Sequence, residues 1–412
     1  MITVKPFSAL RPSSQYAKEC AALPYDVMSS DEARKAVAGK PYSFLHIDKA
    51  EIDLDPAIGL YDERVYKQAA DNLKKFEACG VYVQDHVRKF YFYRQVMDGR
   101  AQTGIVGCAA IDDYLQNKIK KHELTRADKE LDRIRHVETC GAQTGPIFLA
   151  YRDSQTLNAI IQSETSREPL YDFVADDGVA HTVWESSSRE VDKRIEQAFE
   201  SVDALYIADG HHRAASAVKA GLKRRAENPA YNGNEDYNFF LSVIFPADSL
   251  KIMDYNRVLR DLNGLSESAF LEQVNAELGE VTPQEGIYRP KTKHEIGLLL
   301  GGKWYSVKFK AELCQANSPV ERLDCEILQK HLLAPVLGIT DPRTDKRIDF
   351  VGGIRGLGYL ERRCTEDAVA AISMYPVSMD ELISIASAGE IMPPKSTWFE
   401  PKLLSGLFIH KI

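Results

Sequence analysis

The chain has 412 residues, which predicts two or three domains. Its 44% hydrophobic and 27% charged residues exclude a disordered chain, a collagen and a small disulfide-framework protein. Lys and Arg number 52 against 60 Asp and Glu, so the net charge is −8 and nothing global favours nucleic acid or another polyanion as a partner.

The N-terminal residues lack the apolar core of a signal peptide, and the longest apolar stretches are too short to span a bilayer. The seven cysteines are scattered, and none has CxxC spacing. Together these features predict a cytoplasmic protein with reduced, mostly buried thiols and no membrane partner.

A first section, residues 1–95, has the signals of an N-terminal α/β region. Ser30-Asp31-Glu32 precedes a helical run and can cap its free amides. A longer helical pattern near 60–79 stops at Cys79-Gly80, where glycine can take the left-handed conformation that ends a helix.

The middle section, 96–260, is predicted to be the core. Around its start, Asp98-Gly99 separates two β-rich runs, the strongest local signal for a hairpin. A charged helix follows over about 117–140, then an apolar strand at 146–151. The section ends with a strand, a turn and a helix over 205–226, followed by a buried strand, FFLSVIF.

The last section, 261–412, is predicted to be a C-terminal α/β region with a packed tail. Gly301-Gly302 lies between two strand-like runs and predicts a second hairpin. A helix is expected over 321–337, followed by a polar glycine-rich segment. The predicted class is therefore α+β, with a mixed sheet, antiparallel hairpins and helices.

The sharpest functional signal is Asp209-Gly210-His211-His212-Arg213, between an apolar strand and a helix expected to begin near its last residue. A helix N-terminus favours an anion, and the arginine fork suits phosphate or carboxylate. The turn could instead be purely structural. Because aspartate and histidine are metal ligands, a metal site is a further alternative.

A second signal lies in the charged segment before the strand at 146–151. If the segment is helical throughout, its acidic and basic side chains occupy separate faces. One interpretation of this segment is a solvent-exposed helix whose charges pair with one another. The functional reading makes Glu123 a general base and uses basic and polar neighbours on the phosphates; these candidates are His122, Thr125, Arg126, Lys129 and Arg133.

Three weaker candidates remain. The polar segment 341–349, followed by a glycine-rich run, could be a loop over a site, although it matches no known phosphate-binding pattern. Lys395 or Ser396 in the tail could contact a ligand or simply help dock the tail. Tyr25-Asp26 is interpreted as a structural anchor.

Several motifs spread from residue 5 to residue 410 resemble one bacterial family, the domain-of-unknown-function family 1015. They include VKPFSALRP, ALPYDVMS, PYSFLHIDK, TGIVGCAAIDDY, IKKHELTR, DGHHRAASA, DPRTDKRIDFVGGIRG and IMPPKSTWFEPK. The resemblance covers essentially the whole chain, and it implies no activity.

A second, narrower resemblance implies an activity. DGHHR after a strand and before a helix is similar to the signature of free serine kinases of the ParB/sulfiredoxin superfamily, which phosphorylate L-serine with ADP or ATP. Those enzymes carry an upstream His-Glu pair whose glutamate is the catalytic base, and His122-Glu123 is the matching pair. The resemblance implies a ParB/sulfiredoxin-like strand-turn-helix core with a nucleotide phosphate at the helix N-terminus.

Three functions follow as hypotheses. The first is a small-molecule kinase that uses Mg²⁺ and ATP or ADP, with L-serine as the best single acceptor. In this kinase Glu123, Asp209 and His212 would be catalytic, and Asp209 could carry the metal. Gly210, His211 and Arg213 would bind phosphate. The second is a regulator that binds a nucleotide or phosphometabolite without turnover. The third is a metal-dependent hydrolase built on Asp209, His211 and His212.

Overall fold

The computed structural model describes all residues, 1–412, and the chain forms two compact units. Unit 1 comprises Met1–Leu250 and Pro401–Ile412, and unit 2 comprises Lys251–Glu400. The chain therefore leaves unit 1, builds unit 2 and returns to unit 1 for its last twelve residues.

Unit 1 is an α+β structure with most of its strands in one sheet. Its strands are β1 Val4–Lys5, β2 Leu10–Pro12, β3 Tyr82–Gln84, β4 Tyr91–Met97, β5 Arg100–Ala110, β6 Ile119–Lys120, β7 Ala142–Gln143, β8 Ile147–Tyr151, β9 Tyr171–Val174, β10 Ala180–Glu185, β11 Leu205–Asp209, β12 Phe239–Pro246 and β21 His410–Lys411. Its helices are α1 Ala17–Cys20, α2 Ser30–Ala36, α3 Leu45–Asp48, α4 Glu63–Ala78, α5 Ile111–Leu115, α6 Ala127–Cys140, α7 Gln155–Glu164, α8 Arg189–Glu200 and α9 His211–Glu227.

The main sheet of unit 1 has nine strands in the order β6-β11-β8-β12-β5-β4-β10-β9, with β1 paired to β5. Two of its pairings, β6 with β11 and β8 with β12, are parallel, and the others are antiparallel. The predicted class, α+β with a mixed sheet and antiparallel hairpins, is thus confirmed.

The hairpin of β4 and β5 forms where the turn residues predict it. Asp98 and Gly99 have φ angles of 51° and 76°, the left-handed conformation that a two-residue turn of this twist requires at both positions. The strands that they join are in register from Tyr91 opposite Val106 to Met97 opposite Arg100.

Helices α6 and α9 pack against each other beside the main sheet. The Ser216 hydroxyl donates to the Glu130 carbonyl at 3.0 Å, and Lys223 pairs with Glu138 at 2.7 Å. The other side of α9 carries small buried residues, Ala214, Ala217 and Val218, which join the core formed by the sheet. The two helices that carry the candidate residues are therefore fixed to one another.

The predicted helix over about 117–140 is wrong in its first half. Residues 119–120 form β6, residues 121–126 are non-helical, and α6 begins only at Ala127. The backbone N–H groups of His122 and Arg126 donate to the imidazoles of His211 and His212 instead of to helical carbonyls. The helical face proposed for Glu123 therefore does not exist.

Unit 2 has its own sheet and core. Its strands are β13 Ile252–Met253, β14 Tyr255–Leu259, β15 Gly279–Gln284, β16 Glu295–Leu300, β17 Lys303–Phe309, β18 Ile348–Gly352, β19 Ala370–Ser373 and β20 Trp398–Phe399. Its helices are α10 Glu267–Glu277, α11 Asp324–Leu328, α12 Leu357–Glu366 and α13 Met379–Ser387. Six strands pair in the order β15-β17-β16-β19-β14-β18.

The hairpin predicted in unit 2 is also confirmed, since β16 and β17 pair around Gly301 and Gly302, whose φ angles are 55° and 73°.

The helix expected over 321–337 is shorter than predicted. Helix α11 covers Asp324–Leu328, and the chain then continues as a π-helical turn over Gln329–Leu333. Hydrogen bonds from the amides of Val336 and Leu337 to one carbonyl, that of Leu332, close the segment.

The section boundary near residue 95, the helices and the cysteines can each be compared with the expectations from the sequence. The sections 1–95 and 96–260 share the main sheet of unit 1, since β4 begins in one and pairs with β5 of the other. No helix has both the length and the apolar character that a membrane span requires. All seven cysteines are free, but only Cys20, Cys108 and Cys325 are buried.

Candidate functional site

The candidate site begins at a sharp turn between β11 and α9. β11 is a fully buried strand except at its last residue, Asp209. Gly210 follows with a φ of 91° and is the N-cap of α9, which begins at His211, two residues earlier than predicted. Because glycine alone adopts this conformation without strain, the turn can place a carboxylate and the start of a long helix side by side.

Asp209 is held as an anion. Its Oδ1 accepts from the Gly210 amide at 2.7 Å, and its Oδ2 accepts from the Lys402 ammonium at 2.9 Å. Burial opposes its ionisation, but the charges of Lys402 and Arg213 outweigh that effect and hold the pKa of Asp209 well below its usual range. The carboxylate is therefore ionised at any physiological pH.

The segment 121–126 lies against the first turn of α9. The His122 amide points at Nε2 of His211 at 3.5 Å, and the Arg126 amide donates to Nε2 of His212 at 3.0 Å. The imidazoles of His122 and His211 meet edge to face with their centroids 4.5 Å apart. Residues almost ninety positions apart in sequence thus form one cluster.

Glu123 joins this cluster. One side-chain ligand atom from each of His122, Glu123 and His211 lies within 4.8 Å of the others. Both histidines are buried, and burial lowers the pKa of His122 to about 4 and that of His211 well below its usual value. At neutral pH the cluster therefore consists of two uncharged imidazoles and a partly exposed carboxyl group.

These three residues are the set that could hold a metal ion. Two imidazoles and one carboxylate suit zinc or a similar divalent transition ion, whereas Mg²⁺ prefers oxygen ligands. The hydrolase hypothesis named Asp209, His211 and His212, but only His211 belongs to the observed set. The imidazole of His212 instead accepts the Arg126 amide, and Asp209 is paired with Lys402.

A small cavity lies further along α6 and α9, with both apolar and polar side chains in its wall. Its volume is about 30 Å³, room for one or two water molecules. Arg133 of α6 and Arg213 of α9 both line it. Its other lining residues are Tyr25, Asp48, His136, Val137, Gln143, Thr144, Gly145, Ile147, Ser216 and Ala217.

The two arginines of this cavity differ in how they are held. Arg133 is buried, pairs with its neighbour Asp132 at 2.8 Å and stacks over the Tyr25 ring at 4.1 Å. Arg213 is half-buried and donates to the Pro146 carbonyl at 2.6 Å. Its guanidinium lies directly over Gly210, where a Cβ atom would approach it to 3.1 Å. Arg213 is therefore the arginine that makes no direct ion pair with a carboxylate, although its charge lowers the pKa of Asp209.

Three predicted phosphate-binding residues point elsewhere. Arg126 is exposed and pairs with Asp128 at 2.8 Å, and Lys129 lies over the Tyr61 ring at 5.7 Å. The Thr125 hydroxyl donates to Glu130 at 2.9 Å. Thr125 and Arg126 make local contacts in or beside the non-helical segment 121–126, whereas Lys129, in the first turn of α6, contacts Tyr61.

Two side chains of the site were missed by the sequence reasoning. Lys402, the counter-ion of Asp209, comes from the returning tail, and no local pattern marks it. Asp48 accepts from the Thr144 hydroxyl at 2.8 Å inside the cavity, and it comes from α3. Tyr25, interpreted as a structural anchor, also lines this cavity. Only the family-like motifs, which contain Tyr25, Asp48 and Lys402, could have drawn attention to these residues.

The fold and the site together define a mixed α+β protein in which a strand-turn-helix unit presents charged residues beside a histidine cluster. The chain belongs to the family described as protein of unknown function, DUF1015, whose model matches residues 4–326. The family expected from the sequence motifs is thereby confirmed. No curated protein matches the chain.

Several solved structures show a remote similarity. A mutant free serine kinase in complex with AMP is 16% identical, with a TM-score of 0.37 over 71% of this chain and 87% of that one. A conserved hypothetical protein from Pyrococcus furiosus is 16% identical, with a TM-score of 0.35 over 71% and 90%. Truncated SbnI from Staphylococcus aureus is 12% identical, with a TM-score of 0.38 over 72% and 84%. Similarity at this level does not assign an activity to this chain.

Proposed function

We propose that this protein is a small-molecule kinase that transfers a phosphoryl group from ATP or ADP to a free hydroxyl compound. One observation carries the proposal: the segment with Glu123 packs against the first turn of α9, beside the turn with Asp209 and Arg213. A candidate base and a candidate phosphate site thus occupy one place in unit 1. Phosphoryl transfer depends mainly on such positioning and on charge stabilisation.

The phosphates of the nucleotide would bind at the start of α9. The first amides of a helix have no partner within the helix, and the helix dipole adds a partial positive charge. Arg213 lies over this turn and makes no direct ion pair with a carboxylate, so its fork is available for phosphate oxygens. Gly210 leaves the backbone open to close approach.

Glu123 would take the proton of the acceptor hydroxyl. The hydroxyl oxygen forms a bond to the terminal phosphorus, the bond from that phosphorus to the bridging oxygen breaks, and ADP or AMP leaves. Because His122 and His211 are uncharged at neutral pH, neither competes with the hydroxyl as a proton donor. His212 would stabilise charge as it develops.

Asp209 fits a role with Mg²⁺, which is commonly held by one or two carboxylates together with substrate phosphates. The carboxylate is ionised, as such a ligand must be. When bound with the nucleotide, the metal supplies positive charge to the phosphates. Lys402 already neutralises Asp209, so the same lysine could instead bridge this carboxylate and a phosphate oxygen.

L-serine is the proposed acceptor, because DGHHR and the upstream His-Glu pair resemble the motifs of free serine kinases. The test is a ³¹P NMR screen of ATP and ADP, with Mg²⁺, against L-serine, other amino acids and polyols. A new phosphomonoester signal supports the kinase. Nucleotide binding without any new signal supports a regulator that binds nucleotide or phosphometabolite without turnover.

Arg213→Ala tests the phosphate site separately from the chemistry. Losing a charge-assisted contact of about 1.5–3 kcal/mol should weaken nucleotide binding by about tenfold or more and lower the rate as well. The matched control is Arg224→Ala, at the other end of α9, where the arginine contacts the Ile412 carbonyl. Equal nucleotide affinity in both variants would remove Arg213 from the phosphate site.

A metal-dependent hydrolase is the second candidate, and the arrangement of His122, Glu123 and His211 favours it. Equilibrium dialysis with Zn²⁺, Mn²⁺ and Co²⁺ separates the two functions. In the hydrolase, Glu123→Gln and His211→Ala both reduce metal affinity. In the kinase, Glu123→Gln leaves nucleotide binding intact and removes only turnover.

A further inference from the structure

A cavity in unit 2 adjoins a buried arginine that has no acidic partner. Arg257, at the centre of β14, is only 4% exposed. Its guanidinium donates to the carbonyls of Tyr255 and Lys395 and to the Cys325 thiol. It lies 5.4 Å from the centroid of the Phe350 ring, on the neighbouring strand β18. No carboxylate is among these partners.

An arginine buried in this way is unusual, because a buried charge is normally paired. Arg133 in unit 1 shows the ordinary arrangement: burial opposes its charge, but Asp132 raises its pKa above the usual value. For Arg257, burial prevails and lowers the pKa. The guanidinium has five N–H donors, and two carbonyls and a weakly accepting thiol do not supply a counter-charge.

Beside Arg257 the structure has a cavity of about 340 Å³, within the range of pockets that hold small molecules. All of its lining residues belong to unit 2. Among them are the polar residues Gln329 and Thr340, and the apolar residues Phe350 and Pro394, which form one wall of the cavity. The cavity thus combines one buried charge with hydrogen-bonding and apolar surface.

The other charged residues of this cavity have ionic partners of their own. Asp341 pairs with Arg343 at 2.9 Å, and Arg343 is 60% exposed, so this pair lies towards solvent. Glu326 lies 3.6 Å from Lys330, a lysine that also pairs with Glu321 at 2.6 Å. Arg257 is therefore the charge in the cavity wall that lacks a counter-ion.

We propose that this cavity binds a small organic anion, a carboxylate or a phosphate monoester, whose charged group pairs with Arg257. The planar guanidinium can bind two oxygens of such a group in parallel. The carbon skeleton packs against Phe350 and Pro394. Two segments that the sequence singled out, 341–349 and the tail around Lys395, supply parts of this wall, which gives them a role outside the kinase site.

The test is titration calorimetry on the full chain with four probes: inorganic phosphate, glycerol 3-phosphate, succinate and benzoate. We expect saturable binding of at least one probe, and the probe that binds tells phosphate from carboxylate recognition. Arg257→Met keeps an unbranched apolar stem and removes the charged guanidinium, so it should weaken that binding at least tenfold. Nucleotide binding in unit 1 should not change.

The matched control is Arg260→Met, since Arg260 lies just beyond β14 and pairs with Asp367 outside the cavity. It should bind the probe like the wild type. If Arg257→Met does not fold, Arg343→Glu, at an exposed position of the cavity wall, should weaken binding several-fold. Absence of saturable binding for all four probes, equal binding by the folded variants, or loss of binding in Arg213→Ala would overturn the proposal.

Discussion

Lys402 and Asp209 form the ion pair that fixes the charge of the candidate site. Their side chains are 12% and 29% exposed, so the pair is partly shielded from water. An ionised carboxylate in such a place depends on the positive charges near it, here Lys402 and Arg213. The charge of Asp209 therefore depends in part on Lys402, a residue of the returning tail.

Lys402→Met should destabilise the protein by about 1–3 kcal/mol at pH 7, less than the loss of a fully buried pair because Asp209 is partly exposed. The low folded-state pKa of Asp209 contributes stability that is present above its unfolded value of about 4 and is lost as the pH falls through the folded value. The difference between wild type and variant should therefore shrink below about pH 4. Urea unfolding at a series of pH values measures it.

The control for this prediction is Lys411→Met, which removes a more exposed pair with Glu77. Such a surface pair contributes about 1 kcal/mol or less. A pH-independent loss in Lys402→Met, equal to that in Lys411→Met, would mean that Lys402 does not hold the charge of Asp209.

Residues of the site could be predicted where their chemistry is local. The sequence placed Asp209, Gly210 and Arg213 at a strand-turn-helix junction, because an apolar run, a glycine and a helical run are adjacent in the chain. Lys402 could not be found in this way, because its partner is 193 positions away. Arg126 and Lys129 were assigned to phosphate by charge alone, but Arg126 pairs with Asp128 and Lys129 lies over the Tyr61 ring.

At the scale of elements, the turn before α9 determines where the arginine lies. Gly210 has a φ of 91°, and a Cβ atom at this position would lie only 3.1 Å from the guanidinium of Arg213. A side chain at this position meets two obstacles at once, the unfavourable backbone conformation and the arginine.

Gly210→Ala should therefore lower the free energy of unfolding by about 1–3 kcal/mol and displace Arg213, with a weaker nucleotide affinity as the result. Gly178→Ala is the matched control, because Gly178 has a φ of 83° and open space around its Cα. It should lose stability through backbone strain alone and bind nucleotide normally. Calorimetric titration and urea unfolding compare the two; equal nucleotide affinities would show that Arg213 is not displaced.

Strands, turns and helices could be predicted from the sequence where a short stretch of residues determines their conformation. Both hairpins lie where the Asp-Gly and Gly-Gly turns predict them, because the left-handed turn residues select the conformation locally. The segment 121–126 has the composition of a helix, but β6 pairs with β11 and the imidazoles of α9 take its amides. These long-range partners are invisible to helical periodicity.

At the scale of the molecule, unit 1 is completed by residues that follow unit 2. Five apolar side chains of the tail, Leu403, Leu404, Leu407, Phe408 and Ile409, are at most 4% exposed. β21 pairs with β7, and the Tyr82 hydroxyl donates to the Gly406 carbonyl at 2.6 Å. The tail is therefore part of the core of unit 1.

Removing residues 401–412 should prevent stable folding of unit 1. Burial of five such side chains contributes about 2 kcal/mol each, and together this equals the whole stability of an ordinary domain. The measurement is circular dichroism in the aromatic region together with nucleotide binding. Removal of residues 411–412 alone is the control and should preserve both. A truncated chain that binds nucleotide normally would contradict this account of the tail.

The proposed kinase requires Glu123 to act as the base of a phosphoryl transfer at the start of α9. The decisive measurement is a ³¹P NMR time course with Mg²⁺, ATP or ADP and L-serine, run on wild type, Glu123→Gln and the control Glu138→Gln, whose glutamate pairs with Lys223 away from the cluster. We expect a new phosphomonoester signal from wild type and control, a rate about 10²–10⁴-fold lower in Glu123→Gln, and unchanged nucleotide affinity in all three. Transfer by Glu123→Gln at the wild-type rate would contradict the claim.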